Sequence, residues 1–251
     1  MRPRLQGLVR WVPRWVALVF VAWLALELFF VGRIAIMTAV APQSTTFQRS
    51  EAARLWREKG TLRWRQEWVP YGQIADTLKR AVIASEDDGF VSHDGVEWDA
   101  IEKAWQKNAK AQEQAARKAP GPGPRKPAAK IVGGSTITQQ LAKNLLLSGE
   151  RTLLRKGQEL VLTMALETLL DKERILEIYL NHVEWGEGVF GAEAAARHYY
   201  RKSAAQLTSW EAARLAVMLP APKRYERLAS SAYLSSRAAT IQARMGDAVL
   251  P

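Results

Sequence analysis

An apolar run at residues 15–31, WVALVFVAWLALELFFV, sets the terms on which the rest of this chain can fold; Glu27 is the one charge in it. As a helix its 17 residues rise roughly 25 Å at about 1.5 Å per residue. That is close to the ~30 Å hydrocarbon core of a bilayer. Arg33 can snorkel and IAIM can lengthen the span to residue 36, so residues 15–36 are expected to form a transmembrane anchor. A cleaved leader has a shorter apolar region, of about 7–15 residues. The basic flank precedes the span, which predicts a cytoplasmic tail at 1–14 and a periplasmic domain at 43–251.

Charge location narrows the partners. The formal net charge is +11, and residues 1–14 and 103–130 hold the whole excess. A nucleic-acid binder spreads its basic footprint over a folded face. Here the excess lies in a tail and in a loop-like segment, which points to anionic lipid headgroups and away from nucleic acid. Cysteine is absent, so no disulfide, thiolate metal site or cysteine nucleophile exists. His93, His182 and His198 are too scattered for a metal signature, and no metal site is predicted.

Beyond the span the pattern is helical. Residues 43–72 give no clear period. Ile74, Leu78, Ala81, Val82 and Ser85 recur at helical spacing, with an end expected near Gly89. A second helix is expected from Asp94 through Trp98, Ile101 and Trp105. Residues 117–130, RKAPGPGPRKPAAK, are Pro/Gly/Lys-rich and read as a mobile loop. Thr136 and Gln139 have capping-box spacing, opening a helix that carries Gln140, Lys143, Asn144 and Leu147. Further helices follow at RKGQELVLTMALETLL and at DKERILEIYLN, which Asp171 caps. A Gly turn leads into GVFGAEAAARHYY, Thr208 and Glu211 form a second capping box, and the last helix covers 232–246. No alternating run predicts strands, so the fold class is mostly α.

Two blocks carry chemistry. In SEDDGFVSHDG, three acids sit at a helix C-terminus, where the dipole favours cations. They are either a solvated turn or a functional site with Glu86 as general base. In the second block Lys143 is followed by Arg151, Arg155 and Lys156. So dense a cluster is either a solvated face or a site for a phosphate or diphosphate. Ser135, Thr136, Thr138 and the helix N-terminal N–H groups add neutral donors. Glu159 is in reach of Arg155 and Lys156 as an ion pair or as a second carboxylate. Two carboxylates and a cation cluster suit a reaction in which a base deprotonates a sugar hydroxyl and cations stabilise a leaving diphosphate. It requires no cofactor, and it leaves room for a divalent cation (Mg or Mn) at the diphosphate.

Five blocks in order then resemble a known family, the monofunctional biosynthetic peptidoglycan transglycosylases of glycosyltransferase family 51. They are EDDGFVSHDG, GGSTITQQLAKN, RKGQE, RILEIYLN and GVFGAEAAARHYY, within residues 70–245. The resemblance implies a lysozyme-like, two-lobed helical domain behind one membrane helix. It implies polymerisation of lipid II into β-1,4-linked glycan strands with release of undecaprenyl diphosphate. Glu86 then resembles the base for the acceptor 4-hydroxyl, and Glu159 the second catalytic carboxylate. Lys143, Arg151, Arg155 and Lys156 resemble cations for the donor diphosphate. Ser135, Thr136, Gln139, Gln140 and Asn144 resemble sugar or phosphate contacts. Asp87, Phe90 and His93 resemble supports of the first block, and RILEIYLN resembles scaffold. Some relatives carry a further basic residue where this chain has Gln158. The implied partners are lipid II, the growing lipid-linked glycan and inner-membrane lipids; other cell-wall synthesis or division proteins stay open. A lytic hydrolase would also use a glutamate but has no need of the cations. A membrane-anchored scaffold would need neither block. A bifunctional penicillin-binding enzyme is disfavoured, since S-x-x-K and K-T-G are absent.

Overall fold

The computed structural model describes residues 3–98, 102, 106, 109, 110, 134–147, 149, 150, 152–228 and 231–251. The 117–130 loop, Arg151 and most of the helix expected after Asp94 lie outside them.

The first helix, α1 (Pro3–Ile36), contains the apolar run. Its segment Trp11–Ile36 is long and apolar enough to cross a membrane and is largely unburied by the protein. From Trp11 on, only a stripe near its end is covered. Glu27, Phe30, Ile34 and Met37 are buried, at the i, i+3, i+7, i+10 spacing of one helix face. That face packs on α5 (Leu153–Leu169), and Arg174 Nε donates to the Met37 carbonyl across 2.8 Å. The anchor is thus docked on the domain that follows it.

The chain then forms α2 (Thr46–Lys59), opened by a Thr45–Gln48 capping box and ended by Gly60 in the left-handed region. A 3₁₀ turn at Tyr71–Gln73 leads into α3 (Asp76–Glu86). Then come α4 (Ile137–Leu146), α5, α6 (Lys172–His182) and α7 (Ala192–Tyr200). The last helices are α8 (Ser209–Met218), α9 (Pro222–Glu226) and α10 (Ala232–Arg244). The mostly α expectation holds, and both capping boxes form, Thr136 with Gln139 and Thr208 with Glu211. Asp171 caps α6 by accepting from the Arg174 N–H.

The helix expected to end near Gly89 stops at Glu86, because Asp87 leaves helical geometry with φ −162° and ψ 74°. The structure also holds a small sheet that period-two reading did not predict. Strands β1 (Arg65–Gln66), β2 (Glu184–Gly186) and β3 (Val189–Phe190) pair in the order β1-β3-β2, the first pair parallel and the second antiparallel. Runs of two or three residues are too short to show alternation. Two glycines make the sheet's turns possible. Gly188 has φ 73°, and a Cβ there would lie 2.0 Å from the Arg63 carbonyl; Gly191 has φ 84°, with a Cβ 2.7 Å from the Asn181 carbonyl.

Two helix groups position the site. Helix α3 packs between α8 and α10 through Leu78, Ala81 and Val82, all fully buried. Helix α4 packs on α2, α5 and α6 through Ile137, Leu141 and Leu145. Each fully buried leucine or isoleucine contributes about 1.5–3 kcal/mol, so the two helices are firmly held where they meet.

Candidate active site

The junction lies between the end of α3 and the start of α4, and the three consecutive acids go three ways. Asp88 stays at the surface and pairs with Arg244 at 2.9 Å. Asp87 is buried: its Oδ2 accepts from the Ile137 backbone N–H at 2.8 Å, and its Oδ1 accepts from His93 Nε2 at 2.8 Å. The acid that is misplaced at the C-terminus of α3 therefore sits at the N-terminus of α4, where the dipole favours it. His93 Nδ1 in turn accepts from the Gly95 N–H. Phe90 is fully buried, with the Lys172 ammonium 4.7 Å from its ring centre.

Glu86 is held differently. Its Oε2 accepts from Gln140 Nε2 at 3.0 Å, and Gln140 Oε1 accepts from the Tyr179 hydroxyl at 3.0 Å. The tyrosine can give that oxygen only a proton, so the Gln140 amide presents its N–H₂ to the carboxylate. Burial raises the Glu86 pKa above the ordinary carboxylate value. The Gln140 and Ser85 hydrogen bonds oppose the rise, Asp87 adds to it and Arg237 opposes it.

Gln140 also forms part of a groove. One cavity of about 590 Å³ is lined by Gln140, Lys143, Asn144, Arg155, Glu51 and Glu184 among others. A smaller one of about 270 Å³ is lined by Ser135, Gln139, Gln140, Lys143, Arg155, Lys156 and Glu159. They share Gln140, Lys143 and Arg155, so α4 and the first turns of α5 form a common wall. Glu159 is buried, with Oε2 2.9 Å from Arg155 and Oε1 bonded to Lys156. Arg155 Nε is buried with no hydrogen-bond partner among the described residues. An unpaired guanidinium donor in a cation-lined cavity is a place for an anion.

Several expected contacts serve the scaffold as well. Thr136 and Gln139 are buried in their capping box, and the Thr136 hydroxyl donates to the Gly95 carbonyl at 2.6 Å. Thr138 is turned away to Glu167. Ser135, Lys143 and Lys156 are exposed and Asn144 half-buried along the groove. For a divalent ion the donor set is poor. Both Glu159 oxygens face cations, and no group of three or more His, Asp or Glu converges among the described residues.

Sequence reasoning missed three groups. Tyr179 reads as one more apolar residue of α6, although a buried tyrosine hydroxyl needs a partner and so carries a signal. Arg237 lies on α10, far along the chain from Glu86, and gives no local signal. Glu184 stands in the apolar VEWG stretch, a buried acid on the groove wall.

Comparison with known proteins agrees with this geometry. The family model described as Transglycosylase matches residues 55–246. A biosynthetic peptidoglycan transglycosylase of Paraburkholderia phytofirmans is 53% identical over 246 residues, 98% of this chain and 95% of that protein. Proteins of the same name from Burkholderia orbicola and Burkholderia pseudomallei are each 51% identical. Those alignments cover 100% of this chain, with 96% of the first relative and 91% of the second. With a lysozyme-like helical fold, the two blocks at one groove and relatedness along its whole length, this chain belongs to the transglycosylase family.

Proposed function

We propose that the groove polymerises lipid II into β-1,4-linked glycan strands for the cell wall, releasing undecaprenyl diphosphate. The observation that carries this reading is the hydrogen bond from Gln140 to Glu86, since Gln140 also lines the cation groove. One side chain thereby connects a partly desolvated carboxylate to a wall suited to diphosphate.

Glu86 takes the proton of the acceptor 4-hydroxyl as that oxygen attacks the anomeric carbon of the growing chain. A new C–O bond forms, the C–O bond to the diphosphate breaks, and the configuration inverts from α to β. The electron pair leaves on the diphosphate, whose charge Lys143, Arg155 and Lys156 offset, with Arg151 assigned the same role from its place in the sequence. Glu159 orients Arg155 and Lys156 as their counter-ion. Preorganised cations act where charge develops and need no rearrangement during the reaction. No step is assigned to a divalent ion.

Residues 15–36 span the inner membrane with the N-terminus in the cytoplasm, which their apolar run and the four arginines of residues 1–14 support. The catalytic domain is then periplasmic, and its docking on α1 keeps the groove near its lipid-linked substrates. The test supplies the full chain, in detergent, with labelled lipid II and separately with finished peptidoglycan. Polymer from the first is expected; soluble fragments from the second alone would make the protein a hydrolase.

A further inference from the structure

The larger cavity is also lined by acids, Glu51 and Glu184, that the reaction above does not use. Glu184, in β2, is buried, with its side chain 8% exposed. Its Oε1 has no hydrogen-bond partner among the described residues. The Lys223 ammonium lies 3.3 Å from that oxygen, near enough to pair in charge but outside hydrogen-bond geometry. Lys223 spends its hydrogen bond on Glu51 Oε2, which Arg54 also approaches at 2.9 Å. Glu184 is therefore held in this cluster by charge, with one oxygen lacking a hydrogen bond among the described residues.

We propose that Glu184 is a substrate-binding residue of the groove, whose carboxylate accepts a hydroxyl or acetamido N–H of an N-acetylated sugar. The inference rests on the reading of the groove as the site of glycosyl transfer. The chemistry of the lining supports it. Of the lining residues, Lys143 and Arg155 suit a diphosphate, while Thr46, Ser50, Asn144 and Glu184 offer uncharged groups and an acceptor, which suit a sugar. A carboxylate in a shielded wall discriminates strongly for a donor, because a ligand without one leaves it unpaired.

The groups facing Glu184 are Lys223 on α9, Glu51 and Arg54 on α2, and Tyr199 on α7. Burial outweighs Lys223 and, with help from Glu51, raises the Glu184 pKa to about 7. As pH falls through that value the carboxylate becomes a protonated acid, a neutral and weaker acceptor with one oxygen turned into a donor. Binding that uses the acceptor must then weaken on the acid side.

The experiment measures lipid II polymerisation by the full chain across that range for wild type, E184Q, E184D and K223M. Wild-type KM should rise as pH falls through about 7. E184Q should raise KM about 10- to 150-fold at about pH 8, the worth of one hydrogen bond to a charged group, with kcat within about twofold. It should also flatten the KM profile, while E184D retains the pH dependence. K223M removes a cation that holds the pKa down, so its KM break should move to higher pH. A flat wild-type KM profile, or an E184Q KM equal to wild type at about pH 8, would overturn the inference. A wild-type chain that makes no polymer would instead overturn the reading of the groove on which it rests.

Discussion

Gln140 donates to Glu86 across 3.0 Å because Tyr179, 3.0 Å away on the other side, holds the amide in one orientation. A glutamine without that hydroxyl could turn its carbonyl toward the carboxylate, and two acceptors would then face each other. Tyr179→Phe is expected to lower kcat about 2- to 10-fold, the range of one net hydrogen bond of about 0.5–1.5 kcal/mol, with KM little changed. The Gln140 bond pulls the Glu86 pKa down, so loosening it should move the acid limb of the kcat profile to higher pH. Coincident wild-type and variant profiles would show that Tyr179 only fills α6.

Glu86→Gln keeps the volume of the side chain and removes its ability to take a proton. Turnover should fall at least about 10²–10⁴-fold, the usual worth of general-base catalysis, with the fold intact by circular dichroism. Burial raises the pKa of Glu86, so its reactive carboxylate form is lost as pH falls through a value above the ordinary carboxylate range. The wild-type acid limb should therefore lie above that range. A Gln variant that polymerised lipid II at the wild-type rate would remove Glu86 from the mechanism.

His93→Ala tests the support beneath that carboxylate. Among the described residues, His93 is one of two hydrogen-bond partners of the buried Asp87 side chain, and the other is the first backbone N–H of α4. Truncation leaves Asp87 Oδ1 unpaired, at a cost of about 1–3 kcal/mol and toward the upper end for a charged group. The variant should show a lower urea midpoint with an unchanged slope. An unchanged midpoint would mean that the Ile137 N–H alone suffices for Asp87.

The helices were legible because their signals are local. The Thr136–Gln139 and Thr208–Glu211 boxes, the Asp171 cap and the apolar run of α1 each lie within one segment. The sheet was not legible, because β1 meets β3 across more than a hundred residues and each strand is two or three residues long. The same division runs through the site. Glu86 stands out because three acids at a helix end defy the dipole, and Arg155 and Lys156 because like charges crowd. Tyr179 and Glu184 do not, since what sets them apart is which side chain from a distant helix or strand each one faces. Thr136 and Gln139 mark the opposite difficulty: a hydrogen-bonding residue at a helix start reads equally as ligand contact and as cap.

The docked stripe on α1 bears on topology. Residues 11–26 stand clear of the domain, while Glu27, Phe30, Ile34 and Met37 lie against it. A reporter enzyme fused after residue 42 should be active only on the periplasmic side. Phe30→Ala should loosen the anchor from α5 and lower thermal stability by about 3–5 kcal/mol, as for a buried phenylalanine. Cytoplasmic reporter activity would reverse the orientation, and unchanged stability would show that the docking contributes nothing.

Glu159 is the remaining carboxylate, and its two oxygens are engaged by Arg155 and Lys156. With both engaged it is a counter-ion, and the part proposed for it in the reaction is to aim those cations. Glu159→Gln should leave them charged but loosely held. Affinity for a lipid diphosphate should persist, while kcat falls about 10- to 100-fold, less than removal of a stabilising cation at about 10²–10³. The decisive comparison is the double variant Arg155→Met/Glu159→Gln. If Glu159 works through Arg155, losing both should cost little more than losing Arg155 alone, since the two share one function. Losses that multiply would instead give Glu159 a role of its own at the reacting atoms.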